Sequence, residues 1–167
     1  MNPLTNVIKA RRSVRKFESK PVPHEVIRDI LDCARMAPTA RNVQPWLFGA
    51  VTNPDLKEKI STFAEYGRFI KHSAVCFTVF CLADAKYLLE DGCAATENIL
   101  VACSAHGIAS CWVAGHKKAY VEDVRKLLNV PESYTLISMV AAGYCNEKPS
   151  IKKKPLEEVV FFDRYEP

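Results

Sequence analysis

The chain has 167 residues, a length typical of one domain, and 49% of them are apolar, so a folded core can form without disulfide staples. This composition excludes a disordered chain, a collagen-like repeat and a disulfide-bonded miniprotein. The formal net charge of +4 is small for a dedicated nucleic-acid-binding protein, and we expect no nucleic-acid partner.

Two helical patterns flank a basic segment at the start of the chain. Asn2-Pro3, followed by apolar residues at helical spacing, predicts a short helix that runs to about Arg11. A second helix is predicted from Pro23. It must end before Pro38, because a residue that precedes proline disfavours helical backbone. A polar loop over residues 39–45 follows this helix.

Apolar runs and helical patterns continue through the rest of the chain. Residues 74–82 are almost continuously apolar, which predicts a strand that is covered on both faces. Further strands are predicted at 46–51, 109–115 and 134–144, and further helices from 53, at 85–106 and at 121–128. This order is too irregular for a doubly wound nucleotide-binding fold, and we expect one domain over residues 1–167 with a tail from about residue 146.

Several common active-site patterns are missing from the sequence. It contains no glycine-rich phosphate loop, zinc-protease motif or serine nucleophile elbow. The four histidines and seven cysteines lack metal-ligand spacing, so we predict no metal site and interpret most cysteines as buried thiols of a reducing compartment. No signal-peptide pattern is present and the longest apolar stretch is about ten residues, which predicts a cytoplasmic protein without a membrane partner.

The first candidate site is the basic segment that follows the first predicted helix. Arg11, Arg12, Ser13 and Arg15 lie within five residues and offer guanidinium forks and a hydroxyl. Such donors suit a phosphate or a polyhydroxyl chain. A solvated helix end that complements the helix dipole is the alternative that spacing alone leaves open.

A second basic cluster lies near the end of the chain, at residues 152–154. A solvated lysine run is the common structural explanation for such a cluster. The apolar residues 159–162 that follow are expected to anchor the tail against another surface. If the tail returned to the first helix, both basic clusters would converge on one anion.

The loop after the second helix contains Thr39, Asn42 and Gln44 between two prolines. Amide side chains both donate and accept hydrogen bonds, which suits the edge of a heteroaromatic ring. The same residues are also frequent in ordinary turns, so the loop alone leaves both interpretations open.

Four motifs taken together resemble the nitroreductase-like family over nearly the whole chain. They are RRSVRKF, APTARNVQPW, ENILVACSAHGIASCWVAG and KKKPLEEVV, in the family's order. The resemblance implies an α+β fold, with a central mixed or antiparallel sheet flanked by helices. It also implies an intertwined homodimer with two flavin mononucleotide (FMN) sites at the subunit interface, with the tail packing on the partner or on the N-terminal region.

The resemblance assigns roles to individual residues. It implies that Arg11, Arg12, Ser13 and Arg15 contact the FMN phosphate, ribityl chain and pyrimidine, with Arg15 nearest the N1–O2 edge. The backbone of Val113, Ala114 and Gly115 would run along the ring system, with the Ala114 amide directed towards N5. Further contacts implied are Pro38, Thr39 and Asn42 from the other subunit, Lys152 and Lys153 at the phosphate, and Arg68 near O2.

The implied activity is that of an FMN-dependent NAD(P)H oxidoreductase. A nicotinamide would pass hydride to N5, and a nitroaromatic, quinone or other small electron acceptor would then be reduced in the same space, so that the cofactor carries the chemistry. The chain lacks the extra helical excursion of larger family members, which implies a more open site. A reaction on flavin itself or on a halogenated or unsaturated compound, and a non-enzymatic anion-binding module, remain alternatives.

Overall fold

The computed structural model describes residues 2–147 and 149–165, so Met1, Lys148, Glu166 and Pro167 of the expected domain lie outside the described residues. Its centre is a four-stranded antiparallel sheet with the order β1-β2-β4-β3. The strands are β1 Trp46–Val51, β2 Val75–Leu82, β3 Ala109–Ala114 and β4 Tyr134–Gly143. β1 and β3 form the two edges of the sheet, so residues beside β1 and residues beside β3 lie at opposite edges.

Helices cover both faces of this sheet. The α-helices are α1 Pro3–Ala10, α2 His24–Arg35, α3 Pro54–Phe63, α4 Leu88–Ala105 and α5 Val121–Leu127. Short 3₁₀ segments cover Ala40–Asn42, Glu65–His72 and Leu156–Glu158. Gly107, with a φ of 68°, follows the end of α4 in the left-handed conformation that favours glycine.

Strand β2 divides the hydrophobic core into two clusters. Val75, Phe77 and Val79 pack with apolar residues of α2 and α4, whereas Cys76 and Phe80 pack with apolar residues of α3 and α5. All five side chains are almost fully buried. Successive side chains of a strand point to opposite faces, so a strand covered on both faces needs a continuous apolar sequence.

The predicted α+β fold with a central sheet flanked by helices is confirmed, and the sheet is antiparallel. Among the described residues, the parallel pairing recorded is an isolated bridge between Ser13 and Ser110. The element boundaries agree with the predictions to within three residues, and those of β1 coincide with them. The 3₁₀ segment Glu65–His72 was not predicted, because a tight segment of this kind carries no long hydrophobic period.

Candidate active site

The basic segment after α1 lies along the free edge of β3. Ser13 forms a parallel bridge with Ser110, and the Val14 N–H donates to the Ser110 carbonyl at 3.0 Å. This pairing fixes the direction in which the segment runs along β3. The structure therefore brings Arg11, Arg12, Ser13 and Arg15 together with the strand that ends at Ala114.

The backbone of Ala114 faces the same free edge. Ala114 pairs with Ser138, while the next N–H, that of Gly115, donates to the Ile137 carbonyl at 3.0 Å. In an antiparallel ladder, pairs that exchange hydrogen bonds alternate with pairs that do not. Because Gly115 bonds to Ile137, the preceding pair of Ala114 and Ser138 exchanges none, and the N–H and C=O of Ala114 point away from β4. The outward carbonyl of Ala114 accepts a hydrogen bond from the Tyr120 hydroxyl. The Ala114 N–H is thus directed to the edge along which the basic segment runs.

A cavity of about 470 Å³ opens at this edge and includes Arg15, Val113 and Ala114. Its remaining lining is mostly aromatic or charged: Phe63, Glu65, Tyr66, Phe69, Trp112, Lys118, Ala119 and Tyr120. The guanidinium carbon of Arg15 lies 5.8 Å from the centre of the Phe69 ring, within cation–π distance. Aromatic walls, a guanidinium and an outward N–H suit a planar heteroaromatic ring with acceptor atoms on its edges.

Arg11 and Arg12 line a second cleft, of about 400 Å³, beside Ser110. Arg12 donates through Nη1 to the carbonyls of Lys9 and Arg11, at 2.6 and 2.7 Å. Its guanidinium therefore caps the end of α1, which is the structural role that spacing alone left open. Arg11 and Ser110 line this cleft together with Glu147, whose carboxylate is paired with Lys16.

The loop that contains Pro38, Thr39 and Asn42 leads into the strand at the opposite edge of the sheet. It precedes β1, which is three strand positions from β3, a separation of about 14 Å at the usual spacing of strands. Within one chain, these residues are not among those that line the cavity of Arg15. The family resemblance implies that they reach such a cavity from a second copy of the chain.

Arg68 lies in the 3₁₀ segment Glu65–His72 and lines a groove next to the Arg15 cavity. The ring of Phe69 is common to the lining of both spaces. Arg68 itself is not among the residues that line the Arg15 cavity. The structure thus places this guanidinium one residue from the site but facing a separate groove.

Lys152 and Lys153 lie in an exposed tail. An ion pair of 3.0 Å between Lys16 Nζ and Glu147 Oε1 connects the start of the tail to the basic segment. Neither Lys152 nor Lys153 lines the cleft of Arg11 and Arg12. Within one chain, the structure does not bring the two basic clusters to one anion.

One buried thiol lies under the basic segment. Burial raises the pKa of Cys111, while the charge of Arg15, a hydrogen bond with Ser13 and the charge of Arg11 act in the opposite direction. The net increase keeps this sulfur protonated at neutral pH. Cys111 is therefore an uncharged, buried side chain below the arginines, and it does not act as a nucleophile.

Over the described residues, 2–147 and 149–165, no three His, Cys, Asp or Glu side chains cluster in a way that could hold a metal ion. None of the helices in this part of the chain has the length and apolar character needed to cross a membrane.

Residues 8–67 and 68–144 match the sequence model of the nitroreductase family. A relative from Methanothermobacter thermautotrophicus carries the provisional name NADH dehydrogenase/NAD(P)H nitroreductase. It is 33% identical over 150 residues, which cover 87% of this chain and 78% of the relative. A second relative, the NADPH-flavin oxidoreductase of Vibrio harveyi, is 25% identical over 185 residues, which cover 99% of this chain and 76% of the relative.

The fold is also found in solved structures. A crystal structure from Bacteroides thetaiotaomicron, with the same provisional name of NADH dehydrogenase/NAD(P)H nitroreductase, superposes with a TM-score of 0.93. The two chains are 27% identical, and 99% of each is covered. The sequence match, the relatives and this superposition agree with the four motifs, and the chain belongs to the nitroreductase family.

Proposed function

We propose that this protein is an FMN-dependent NAD(P)H oxidoreductase that reduces nitroaromatics, quinones or related small electron acceptors. The observation that carries the proposal is the placement of the outward Ala114 backbone and the Arg15 guanidinium in one aromatic-lined cavity. The names of the relatives support a nicotinamide donor and a flavin.

The residues beside β3 provide complementary groups for FMN. Arg15 would face the N1–O2 edge of the ring, and the Ala114 N–H would face N5, with the backbone of Val113 and Gly115 alongside. Arg11, Arg12 and Ser13 would take the phosphate and ribityl chain, because charge-assisted hydrogen bonds to phosphate are the strongest polar contacts available here. Lys152 and Lys153 would add to the phosphate site when the tail is docked.

Bound FMN would supply the redox chemistry, accepting a hydride from a nicotinamide and returning electrons to an oxidant. The protein's contribution is electrostatic and spatial. The positive charge of Arg15 would stabilise negative charge on the N1–O2 edge of the reduced ring, as preorganised donors do. Phe63, Tyr66 and Phe69 provide aromatic surface on which planar substrates can stack.

A homodimer completes this site. Pro38, Thr39 and Asn42 precede the strand at the edge opposite the Arg15 cavity and do not line that cavity, so we assign them to the FMN of a partner subunit. The tail supports the same assembly, because Val159, Phe161 and Phe162 are 59%, 60% and 86% exposed in the single chain. Apolar side chains exposed in this way mark a surface that binds another protein surface. Lys118 lines the cavity and is a candidate for contacts with the substrates, whereas Arg68, in the adjoining groove, is assigned to the O2 side of FMN as the family resemblance implies.

A second candidate reaction is the reduction of free flavin. The name of the Vibrio harveyi relative favours it, and so does the exposure of Tyr66, which is 86% exposed at the rim of the cavity. A steady-state assay separates the two reactions by their acceptors. The FMN-loaded protein is given NADH or NADPH with a nitroaromatic, a quinone or free FMN, and the rate of nicotinamide oxidation is measured for each.

The first proposal predicts that nicotinamide is oxidised faster with a nitroaromatic or a quinone as acceptor than with free FMN. Faster turnover with free FMN than with either would assign the second reaction. No nicotinamide oxidation with any acceptor, together with salt-sensitive binding to a polyanion, would instead indicate a non-enzymatic anion-binding module.

A further inference from the structure

Asp91 is a buried carboxylate in α4 that the sequence motifs did not single out. It is 6% exposed, although ionised carboxylates are rarely buried without partners. Its Oδ2 accepts a hydrogen bond from the Thr39 hydroxyl at 2.9 Å, and its Oδ1 accepts one from the Ala40 N–H at 3.2 Å. Both partners belong to the loop between α2 and β1.

The close packing of α4 on the sheet fixes the position of this carboxylate. A Cβ atom on the neighbouring Gly92 would lie 2.8 Å from side-chain carbons of Ile137 on β4, so only glycine allows the helix to approach this closely. One turn further on, the Thr96 and Ser138 hydroxyls are 2.6 Å apart. Asp91 therefore projects from a rigid part of the core, near the positive end of the helix dipole.

The loop that Asp91 contacts has an unfavourable backbone conformation. Arg41, Asn42 and Gln44 have φ angles of 55°, 58° and 52°, in the left-handed region that residues other than glycine rarely adopt. The Gln44 N–H donates to the Thr39 hydroxyl oxygen at 3.2 Å, which connects the end of the loop to the residue that Asp91 binds. Such a conformation persists only when surrounding contacts hold it.

We propose that Asp91 is a positioning residue for FMN binding across the subunit interface. It acts through Thr39 and Ala40, holding the loop in the shape that presents Pro38 and Asn42 to the partner's FMN. This inference rests on the proposed function. It adds that the FMN affinity of one subunit depends on a carboxylate buried in the core of the other.

The test compares Asp91→Ala and Asp91→Asn with Glu90→Gln, which removes a charge from the adjacent, exposed position of the same helix turn. Hydrogen–deuterium exchange of residues 39–44 in the FMN-free protein reports on the loop, and fluorescence titration gives the FMN dissociation constant. We expect Asp91→Ala to speed exchange in the loop and to raise the dissociation constant at least tenfold, with Glu90→Gln unchanged in both.

Asp91→Asn keeps the acceptor for the Ala40 N–H but not the negative charge, so we expect smaller changes in the same direction. This variant also provides the result if Asp91→Ala does not fold. Unchanged exchange in the loop, or faster exchange with unchanged FMN affinity, would overturn the role of Asp91. If the unsubstituted protein does not bind FMN, the proposed function fails together with this inference, whereas failure of the inference alone leaves FMN binding by the unsubstituted protein intact.

Discussion

The hydroxyl of Tyr120 donates a hydrogen bond to the carbonyl of Ala114, the residue at which β3 ends in the candidate active site. Tyr120 lies immediately before α5, so the bond connects the end of the strand to the start of a helix. Burial raises the pKa of the Tyr120 phenol above its ordinary value, which keeps the hydroxyl a donor across the neutral pH range. This bond holds the end of β3, from which the Ala114 N–H points to the same free edge.

Replacing Tyr120 by Phe removes this bond and leaves the ring in place. A single hydrogen bond of this kind contributes about 0.5–1.5 kcal/mol, so we expect FMN affinity to fall by about twofold to tenfold. Fluorescence titration with FMN measures the change. Tyr134→Phe, in the same core cluster but outside the cavity, serves as the control. Equal affinities for the Tyr120 variant and the unsubstituted protein would remove Tyr120 from the site.

Arg15→Ala should weaken FMN binding more strongly. A charge-assisted hydrogen bond contributes about 1.5–3 kcal/mol, which corresponds to at least a tenfold loss of affinity. Arg15→Lys keeps the charge but not the fork of donors. Its FMN affinity should lie between those of Arg15→Ala and the unsubstituted protein. Equilibrium dialysis with FMN gives the three affinities.

The matched control for Arg15 is Arg35→Ala. Arg35 lies on α2 and donates to Asp32 Oδ1 at 2.6 Å on the surface, away from the Arg15 cavity. FMN affinity should be unaffected in this variant. A comparable loss of affinity in both variants would show that the effect of Arg15 is one of general charge or stability.

The sequence predicts the α-helices and strands of this fold, and it draws attention to the basic segment. Strand β2 was recognisable because both of its faces are covered, and the basic segment was recognisable because Arg11, Arg12 and Arg15 are adjacent in the chain. That this segment pairs with β3 depends on contacts between residues about 97 positions apart, as in the Ser13–Ser110 bridge. Hydrophobic patterns carry no information on such pairing.

The roles of Asp91 and Tyr120 are not predicted from the sequence, for different reasons. Asp91 had a signal, since it is a carboxylate beside a glycine in a helix otherwise rich in small, buried residues. Such an acidic residue must find a partner when the helix packs. Tyr120 had no comparable signal, because its role depends on where the end of β3 meets the start of α5.

Two buried threonines allow opposite predictions from the same substitution. Among the described residues, the Thr78 hydroxyl is buried without a hydrogen-bond partner, whereas the Thr96 hydroxyl bonds to the Gly92 carbonyl and the Ser138 hydroxyl, both at 2.6 Å. Thr78→Val should leave the free energy of unfolding unchanged or raise it by up to about 1 kcal/mol. Thr96→Val should lower it by about 1–3 kcal/mol, because Ser138 loses its partner.

Urea denaturation of both threonine variants measures this difference. Both side chains are fully buried, Thr78 on β2 and Thr96 on α4, so each serves as the control for the other. Equal losses of stability would contradict the account of their hydrogen bonds.

Buried cysteines predict a loss of stability in alkali. Burial raises the pKa of the Cys76 thiol from 9.0 to about 12. The unfolded chain therefore releases this proton at lower pH than the folded protein, and the free energy of unfolding should fall as pH rises from about 9 to about 12. Urea denaturation across this range should show a shallower fall for Cys76→Ala. An identical pH dependence in both proteins would contradict the burial effect.

The most direct test of the central claim is the visible absorption spectrum of the purified protein after it is mixed with FMN and dialysed. The spectrum is recorded without oxygen, before and after addition of NADH and then NADPH. We predict a bound-flavin spectrum that loses its absorbance on addition of a nicotinamide, which also identifies the preferred donor. A colourless protein after dialysis would contradict the assignment of FMN to the cavity of Arg15 and Ala114.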